Sequence, residues 1–247
     1  MDESPFTAAI PPSPESNLGF ASWVREITEA ARATLTRPDY PDDLPRGNGE
    51  TVLLIPGFLA GDWTMHPLRD FLRHHNYRVE FSGIAFNLGP TAGLMPHLEQ
   101  AVERLFGEAG QPLIVIGQSL GGAFARALAH RHPEKIAQVI TLGSPIRFPV
   151  TTPLEAIVRW LSPFHAPDLA ALVEEIGRTP EVPVTALYSR EDGIIDWQSC
   201  LQDETAHCVN LEVSGAHSAM GFNPEAQALI VREIARVAVA KKKKDGP

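Results

Sequence analysis

The feature that most constrains the fold is a Gly-Gln-Ser-Leu-Gly sequence at residues 117–121, placed between a buried apolar run and a helical pattern. The run LIVI precedes it, and the pattern AFARALAHRH follows one further glycine. A serine in this setting must lie on a tight strand-to-helix turn with unusual backbone angles, where side chains two residues to either side would collide. The sequence therefore predicts that Ser119 is lifted out of a sheet at the N-terminal end of a helix.

Short runs rich in Val, Ile and Leu recur along the chain and alternate with helical patterns. The runs lack polar alternation, which is typical of strands buried on both faces of a parallel sheet by flanking helices. The predicted strands cover residues 51–55, 78–81, 113–117, 137–142, 184–189 and 209–213. The predicted helices cover about residues 64–75, 91–107, 119–131, 153–177 and 224–240. We therefore predict an α/β fold with a mainly parallel sheet of about six strands.

Three segments depart from this alternation of strand and helix patterns. Residues 1–17 combine Pro, Ser and Glu, which predicts a flexible leader, whereas apolar residues at helical spacing over 18–35 predict an extra amphipathic N-terminal helix. Residues 145–183 contain two helical pieces with apolar residues that look exposed, either a small helical cap over a substrate site or helices that pack on the sheet. Those apolar residues are Trp160, Leu161 and Phe164. Residues 18–240 form one predicted domain, and 241–247 form a basic tail.

Composition and charge exclude several classes of function. A formal net charge of -9 argues against nucleic acid as a partner, because phosphate backbones are bound by surplus Lys and Arg. The N-terminus lacks the apolar region of a signal peptide and no apolar run could span a bilayer, so we expect a cytoplasmic protein with at most peripheral membrane contact. Cys200 and Cys208 fit either one disulfide or two free thiols, and they lack zinc-site spacing. No metal or other cofactor is implied.

A serine hydroxyl is a weak nucleophile and needs a base, usually a histidine oriented by a carboxylate. In a parallel sheet these groups belong at the carboxyl ends of strands, and His217 and Asp192 follow the last two predicted strands. Asp196 and Glu191 compete in the same acidic loop, although Asp196 is placed to cap a helix. Of the other histidines, four are interpreted as solvated at helix ends (His74, His75, His130, His132), whereas His66 stands where a helix begins and His207 at the amino end of the last strand.

Acyl transfer also requires hydrogen-bond donors for the oxygen that becomes negative. The backbone N–H of Leu120, directly after the serine, is one candidate. The other should come from the loop after the first strand, PGFLAG at residues 56–61, where the N–H of Phe58 is the candidate.

Five segments together resemble the α/β-hydrolase superfamily and, within it, the triacylglycerol-lipase-like esterases: IPGFLAGDW, VIGQSLGGAFARALA, VITLGSP, YSREDGIIDW and VSGAHSAM. The resemblance runs from about Thr51 to Ala240. It implies a serine carboxylic-ester hydrolase that acts through an acyl-enzyme on an apolar small-molecule or lipid ester, with Ser119, Asp192 and His217 as the triad.

Two departures from the family pattern accompany this resemblance. Gln118 stands where lipases more often have His, and the N-terminal helix takes the place of the two antiparallel strands that begin larger members. Two alternatives stay open at this point: an acyltransferase of the same fold and a non-catalytic binding protein. Neither the identity of the ester nor the oligomeric state follows from the sequence.

Overall fold

The computed structural model describes residues 18, 22, 24–26, 28–29, 40–148 and 150–245. Six strands form one sheet in the order β2-β1-β3-β4-β5-β6, and every neighbouring pair is parallel. The strands are β1 Thr51–Ile55, β2 Arg78–Phe81, β3 Leu113–Gln118, β4 Ile136–Leu142, β5 Val184–Tyr188 and β6 Cys208–Glu212. The predicted parallel α/β sheet is confirmed, and the predicted strand ends agree with these bounds to within about one residue.

The helices also follow the predicted pattern, with one division. They are α1 His66–His74, α2 Leu94–Ala109, α3 Leu120–Arg131, α4 Glu155–Leu161, α5 Leu169–Gly177 and α6 Pro224–Asp245. The helix predicted over 153–177 is interrupted after α4 by a 3-10 turn, Ser162–Phe164, which contains Pro163, and by a short loop that contains Pro167. The last helix extends beyond residue 240 into the basic tail, because lysine is a good helix former.

Alternate residues of the central strands supply two separate cores. Leu53 and Ile55 pack in the core that contains residues of α2, α3 and α5. Val52 and Leu54 point the other way, into the core that contains residues of α1 and α6. Since every residue of β1 is buried, the sequence prediction of strands covered on both faces is confirmed there.

The two helices of the 145–183 segment differ in how they are held. The fully buried Arg126 of α3 donates from Nε to the backbone oxygen of Ile176 at 2.9 Å, and from Nη1 to Gln202 Oε1 at 2.8 Å. Burial lowers the pKa of this guanidinium to about 10. These bonds fix the end of α5 to the body of the protein, whereas α4 leaves Trp160 74% exposed.

Leu161 corrects one prediction, because its side chain is only 5% exposed. The reason is the helical period: Leu154, Val158 and Leu161 share the inner face of the α4 region, and Trp160 lies on the outer face. The exposure predicted for Trp160 and Phe164 is confirmed.

His75 corrects another prediction, since this histidine is fully buried rather than solvated. Its ring nitrogens lie 2.9 Å from the Phe71 backbone oxygen and 3.1 Å from the Pro41 backbone oxygen, so the segment before β1 covers the end of α1. His74, His130 and His132 are half-buried. Cys200 and Cys208 are both buried free thiols.

The N-terminal region is described only in part. Residues 22, 24–26, 28 and 29 are helical, as the spacing predicts, and they are called the N-terminal helical segment below. The predicted leader at 1–17 and the rest of the predicted N-terminal helix, apart from Leu18, lie outside the described residues. Among the helices of the described ranges, none is long and apolar enough to cross a membrane.

Candidate active site

Ser119 lies on a tight turn between the end of β3 and the start of α3. Its backbone has φ 52° and ψ -127°, a conformation that residues with side chains rarely adopt, and its N–H donates to the Leu142 oxygen at 2.8 Å. A Cβ atom on Gly117 would lie 2.3 Å from the Gly121 carbonyl carbon, and one on Gly121 would lie 2.3 Å from the Ile55 oxygen. The glycines therefore permit the close packing that this strained turn requires.

The structure brings His217 and Asp192 together at the carboxyl ends of β5 and β6. His217 Nδ1 lies 2.6 Å from Asp192 Oδ2, and both side chains are buried. The other oxygen, Oδ1, accepts the backbone N–H groups of Ile194 and Ile195 at 2.8 Å each. Because the carboxylate is acceptor-only when ionised, Nδ1 carries the proton and Nε2 is left as the basic nitrogen of the neutral ring.

The two competing acids of the same loop hold other positions. Asp196 accepts the Gln198 N–H at 3.2 Å and caps the 3-10 turn Trp197–Cys200. Glu191 accepts the Gly215 N–H at 2.7 Å. Of the three carboxylates, Asp192 is the one hydrogen-bonded to the His217 imidazole.

The electrostatics of His217 result from opposing effects. Burial alone lowers the pKa of the imidazole, but the charge of Asp192, its hydrogen bond and the charge of Glu26 together raise the pKa above the ordinary value. The surroundings of His217 thus favour the imidazolium form that arises when it takes up a proton.

Ser119 and His217 line one cavity of about 310 Å³. This volume falls within the range of small-molecule sites. Most of the wall is apolar, with contributions from Phe58, Leu120, Phe148, Val150, Leu154, Val158, Ile194, Ile195 and Phe222. The predicted site residues therefore meet at one apolar cavity, except Asp192, which lies behind His217.

The candidate oxyanion donors lie at the same cavity. In the loop after β1, the N–H of Leu59 donates to the Asn87 oxygen at 2.8 Å and that of Ala60 to the Gly57 oxygen at 3.2 Å. Within the described ranges, no hydrogen bond uses the backbone N–H of Phe58 or Leu120. Both residues line the cavity together with Ser119.

Two residues that the sequence analysis did not assign to the site contact its histidine loop. Gln118 Nε2 donates to the His217 backbone oxygen at 3.0 Å. Glu26, from the N-terminal helical segment, accepts the backbone N–H groups of His217 and Ser218 at 2.8 Å. The departure of Gln118 from the lipase pattern is a sequence signal for its contact with the histidine loop. Glu26 has no such signal, because it lies among polar residues that are typical of a solvated helix face.

Within the described ranges, no group of three or more His, Cys, Asp or Glu side chains is arranged to hold a metal ion. Ser119 and His217 line the cavity, and Asp192 binds His217 from behind, an arrangement suited to proton transfer and nucleophilic attack.

A six-stranded parallel sheet, a strained serine turn after its central strand and a His–Asp pair after its last two strands together define the α/β-hydrolase fold. Comparison with known proteins supports the same fold. A family model described as the alpha/beta hydrolase fold matches residues 108–174. The resemblance to the α/β-hydrolase superfamily predicted from the sequence is confirmed.

The relatives and solved structures include esterases and lipases. The chain is 33% identical over 92 residues to a pimeloyl-[acyl-carrier protein] methyl ester esterase of Aromatoleum aromaticum, over 37% of this chain and 36% of that relative. The match thus spans about a third of the relative's length. The structure is similar to a solved structure described under the metagenome-derived lipolytic enzymes LipS and LipT, with a TM-score of 0.58. The sequence identity is 17%, and the match covers 79% of this chain and 96% of that one.

A second solved structure of the same fold is a monoacylglycerol lipase of Paleococcus ferrophilus. The TM-score is 0.54 at 16% identity, and the match covers 80% of this chain and 97% of that one. At such identities the two structural matches establish the fold.

Proposed function

We propose that this protein is a serine carboxylic-ester hydrolase that acts through an acyl-enzyme on esters with an apolar acyl group. The observation that carries the proposal is the joint placement of Ser119 and the Asp192-paired His217 at one apolar cavity. The esterase and lipase names among its relatives support the same reaction class.

In the acylation step, Ser119 Oγ attacks the carbonyl carbon of the ester while His217 Nε2 takes the hydroxyl proton. The carbonyl π electrons move to the oxygen, which accepts hydrogen bonds from the N–H groups of Phe58 and Leu120. The C–O bond to the alcohol then breaks, and the alcohol leaves with the proton that His217 carries. Asp192 keeps the imidazole oriented and stabilises its positive charge throughout.

In the second step, water attacks the acyl carbon and His217 takes its proton. The bond to Ser119 breaks, the serine oxygen regains that proton, and a carboxylic acid is released. An alcohol in place of water would give the acyltransferase reaction, which uses the same residues. No specific contact in the described cavity favours an alcohol acceptor.

The substrate class is proposed from the cavity wall. Phe148, Leu154 and Val158 of the 145–183 segment face the same space as Ser119. Burial of methylene groups against such a wall stabilises a bound acyl chain by about 0.8 kcal/mol for each CH₂. We propose that this segment is the cap that selects the acyl group.

The test is hydrolysis of p-nitrophenyl butyrate, octanoate and palmitate by the wild type, Ser119→Ala and a control, Ser162→Ala. Ser162 bonds the Arg159 oxygen in the 3-10 turn and does not line the cavity. We expect Ser119→Ala to lose at least about a thousandfold in kcat/KM and the control to keep wild-type activity. If the wild type hydrolyses none of the three esters and is not labelled by a fluorophosphonate, the proposal fails and the non-catalytic binding protein is the alternative that stands.

A further inference from the structure

We propose that Glu26 of the N-terminal helical segment is a positioning residue, which fixes the His217 loop and the Asp192 loop in the arrangement where their side chains pair. The inference rests on the proposed function and extends it to a part of the chain far from the serine turn. Glu26 acts here through His217 and does not itself line the cavity.

The Glu26 carboxylate bonds three backbone N–H groups from the two loops. Oε1 accepts the N–H of Gly193 at 2.9 Å and that of His217 at 2.8 Å. Oε2 accepts the N–H of Ser218 at 2.8 Å. One side chain therefore ties the residue after Asp192 to the histidine that Asp192 binds.

The N-terminal helical segment is packed closely enough to hold this carboxylate in place. A Cβ on Gly193 would lie 2.9 Å from Ser22 Cβ, so the acidic loop can approach the segment because residue 193 is glycine. One turn further on, Glu29 Oε2 accepts the Ala216 N–H at 2.7 Å. The segment thus contacts the acidic loop and the histidine loop at the same time.

Glu26 also affects the charge of the site. Its side chain is buried, which raises its pKa, but its bonds to Ser218 and Gly193 and the neighbouring His217 outweigh burial and lower the pKa below the usual value. It is therefore ionised at neutral pH and stabilises an imidazolium at His217. A residue at position 26 without a side-chain acceptor would leave the N–H groups of Gly193, His217 and Ser218 without this partner.

Several other charged groups lie around His217 and must be kept constant in a test. Asp192 is bonded to the ring itself, Glu191 bonds Gly215, and Glu29 bonds Ala216 and lies 3.9 Å from the Arg25 guanidinium. Among these carboxylates, Asp192 and Glu26 are the two whose charges act on the pKa of His217. Glu29 is therefore the matched control for Glu26: the same residue type on the same segment, bonded to the neighbouring N–H.

The experiment compares Glu26→Gln, Glu26→Ala and Glu29→Gln with the full-length wild type on p-nitrophenyl butyrate between pH 5 and 9. For Glu26→Gln we expect kcat lower by at least about tenfold, KM changed less than about twofold, and the acidic limb of kcat/KM moved to lower pH. Glu29→Gln should keep the position of the acidic limb. A role in stability alone would lower the melting temperature without moving that limb.

Titration of the His217 imidazole by NMR supplies a readout that does not depend on turnover. We expect a lower pKa in Glu26→Gln than in the wild type, and the wild-type pKa in Glu29→Gln. If the wild type proves inactive, the proposed function fails while this titration still tests Glu26. Since Glu26→Ala can lose its fold, the isosteric Glu26→Gln decides. A wild-type kcat and acidic limb in Glu26→Gln, or the same shift in both glutamine variants, would overturn the inference.

Discussion

The side-chain amide of Gln118 donates a hydrogen bond of 3.0 Å to the backbone carbonyl oxygen of His217. The residue directly before the serine is thereby joined to the histidine that the proposed reaction requires. With the Glu26 bond to its N–H, both backbone polar groups of His217 are held by buried side chains. The position of the imidazole is therefore fixed from the serine side and from the N-terminal side.

Removal of the Gln118 side-chain amide should lower kcat by more than the accompanying loss of folding stability explains. We expect Gln118→Ala to lower kcat about tenfold, because the His217 backbone oxygen loses one of its two donors among the described residues and keeps only the Met220 N–H at 3.3 Å. The measurement is steady-state hydrolysis together with thermal unfolding.

The control for this prediction is Gln227→Ala. Gln227 is equally buried and donates to the Gly221 oxygen at 2.9 Å. It should lower the melting temperature by a similar few degrees and leave kcat close to that of the wild type. Equal losses of kcat in the two variants would contradict a specific role for Gln118.

The three acids of the loop after β5 should differ sharply in their effect on activity. Asp192→Asn should lower kcat about 10³–10⁴-fold, because the amide favours the wrong tautomer of His217 and cannot balance its charge. Asp196→Asn should keep near-normal kcat, since asparagine also caps helical turns. The check is kcat for both variants on one ester; the reverse order would show that the wrong carboxylate has been paired with His217.

The pH dependence of the wild type follows from the raised pKa of His217. The neutral imidazole accepts the serine proton, so kcat/KM should fall as the pH drops through the pKa of this group. Because Asp192 and Glu26 outweigh burial and raise that pKa, the midpoint of the acidic limb should lie above the ordinary histidine value of about 6.5. A pH–rate profile of kcat/KM tests this, and a midpoint clearly below that value would be inconsistent with the charge arrangement.

The inner face of α4 should control the length of the acyl group. Val158→Trp places a large ring in the cavity and should reduce kcat/KM for octanoate and palmitate esters at least about tenfold relative to butyrate. The control is Ile157→Trp, because Ile157 is the neighbouring residue and is 40% exposed on the outer face of α4. It should leave the dependence of kcat/KM on acyl length unchanged. The ratio of kcat/KM values across the three esters measures the effect, and an unchanged ratio in Val158→Trp would place the acyl chain elsewhere.

Much of the fold follows from local sequence signals. Apolar runs such as TVLLI become fully buried strands because both sheet faces are covered, and this needs no knowledge of distant residues. The turn at Ser119 also has a local signal, because a Cβ on Gly117 would collide with the Gly121 backbone of the same turn. His217 and Asp192 were selected from the chain order of the strands, and the structure brings their side chains together.

The remainder depends on contacts between segments far apart in the chain. His75 resembled a solvated helix end because the covering residue, Pro41, lies 34 positions earlier. The contact of Glu26 with His217 has no local signal in the sequence, because the two residues are 191 positions apart. Leu161 differs: its burial was accessible from the spacing with Leu154 and Val158, which places all three on one helical face.

The most direct test of the central claim is mass spectrometry of the protein mixed with p-nitrophenyl octanoate and quenched in acid within the first turnovers. The account predicts one octanoyl group per chain, located on the peptide that contains Ser119, and no such adduct in Ser119→Ala. Steady hydrolysis without an adduct on Ser119, or equal turnover by Ser119→Ala, would contradict the account.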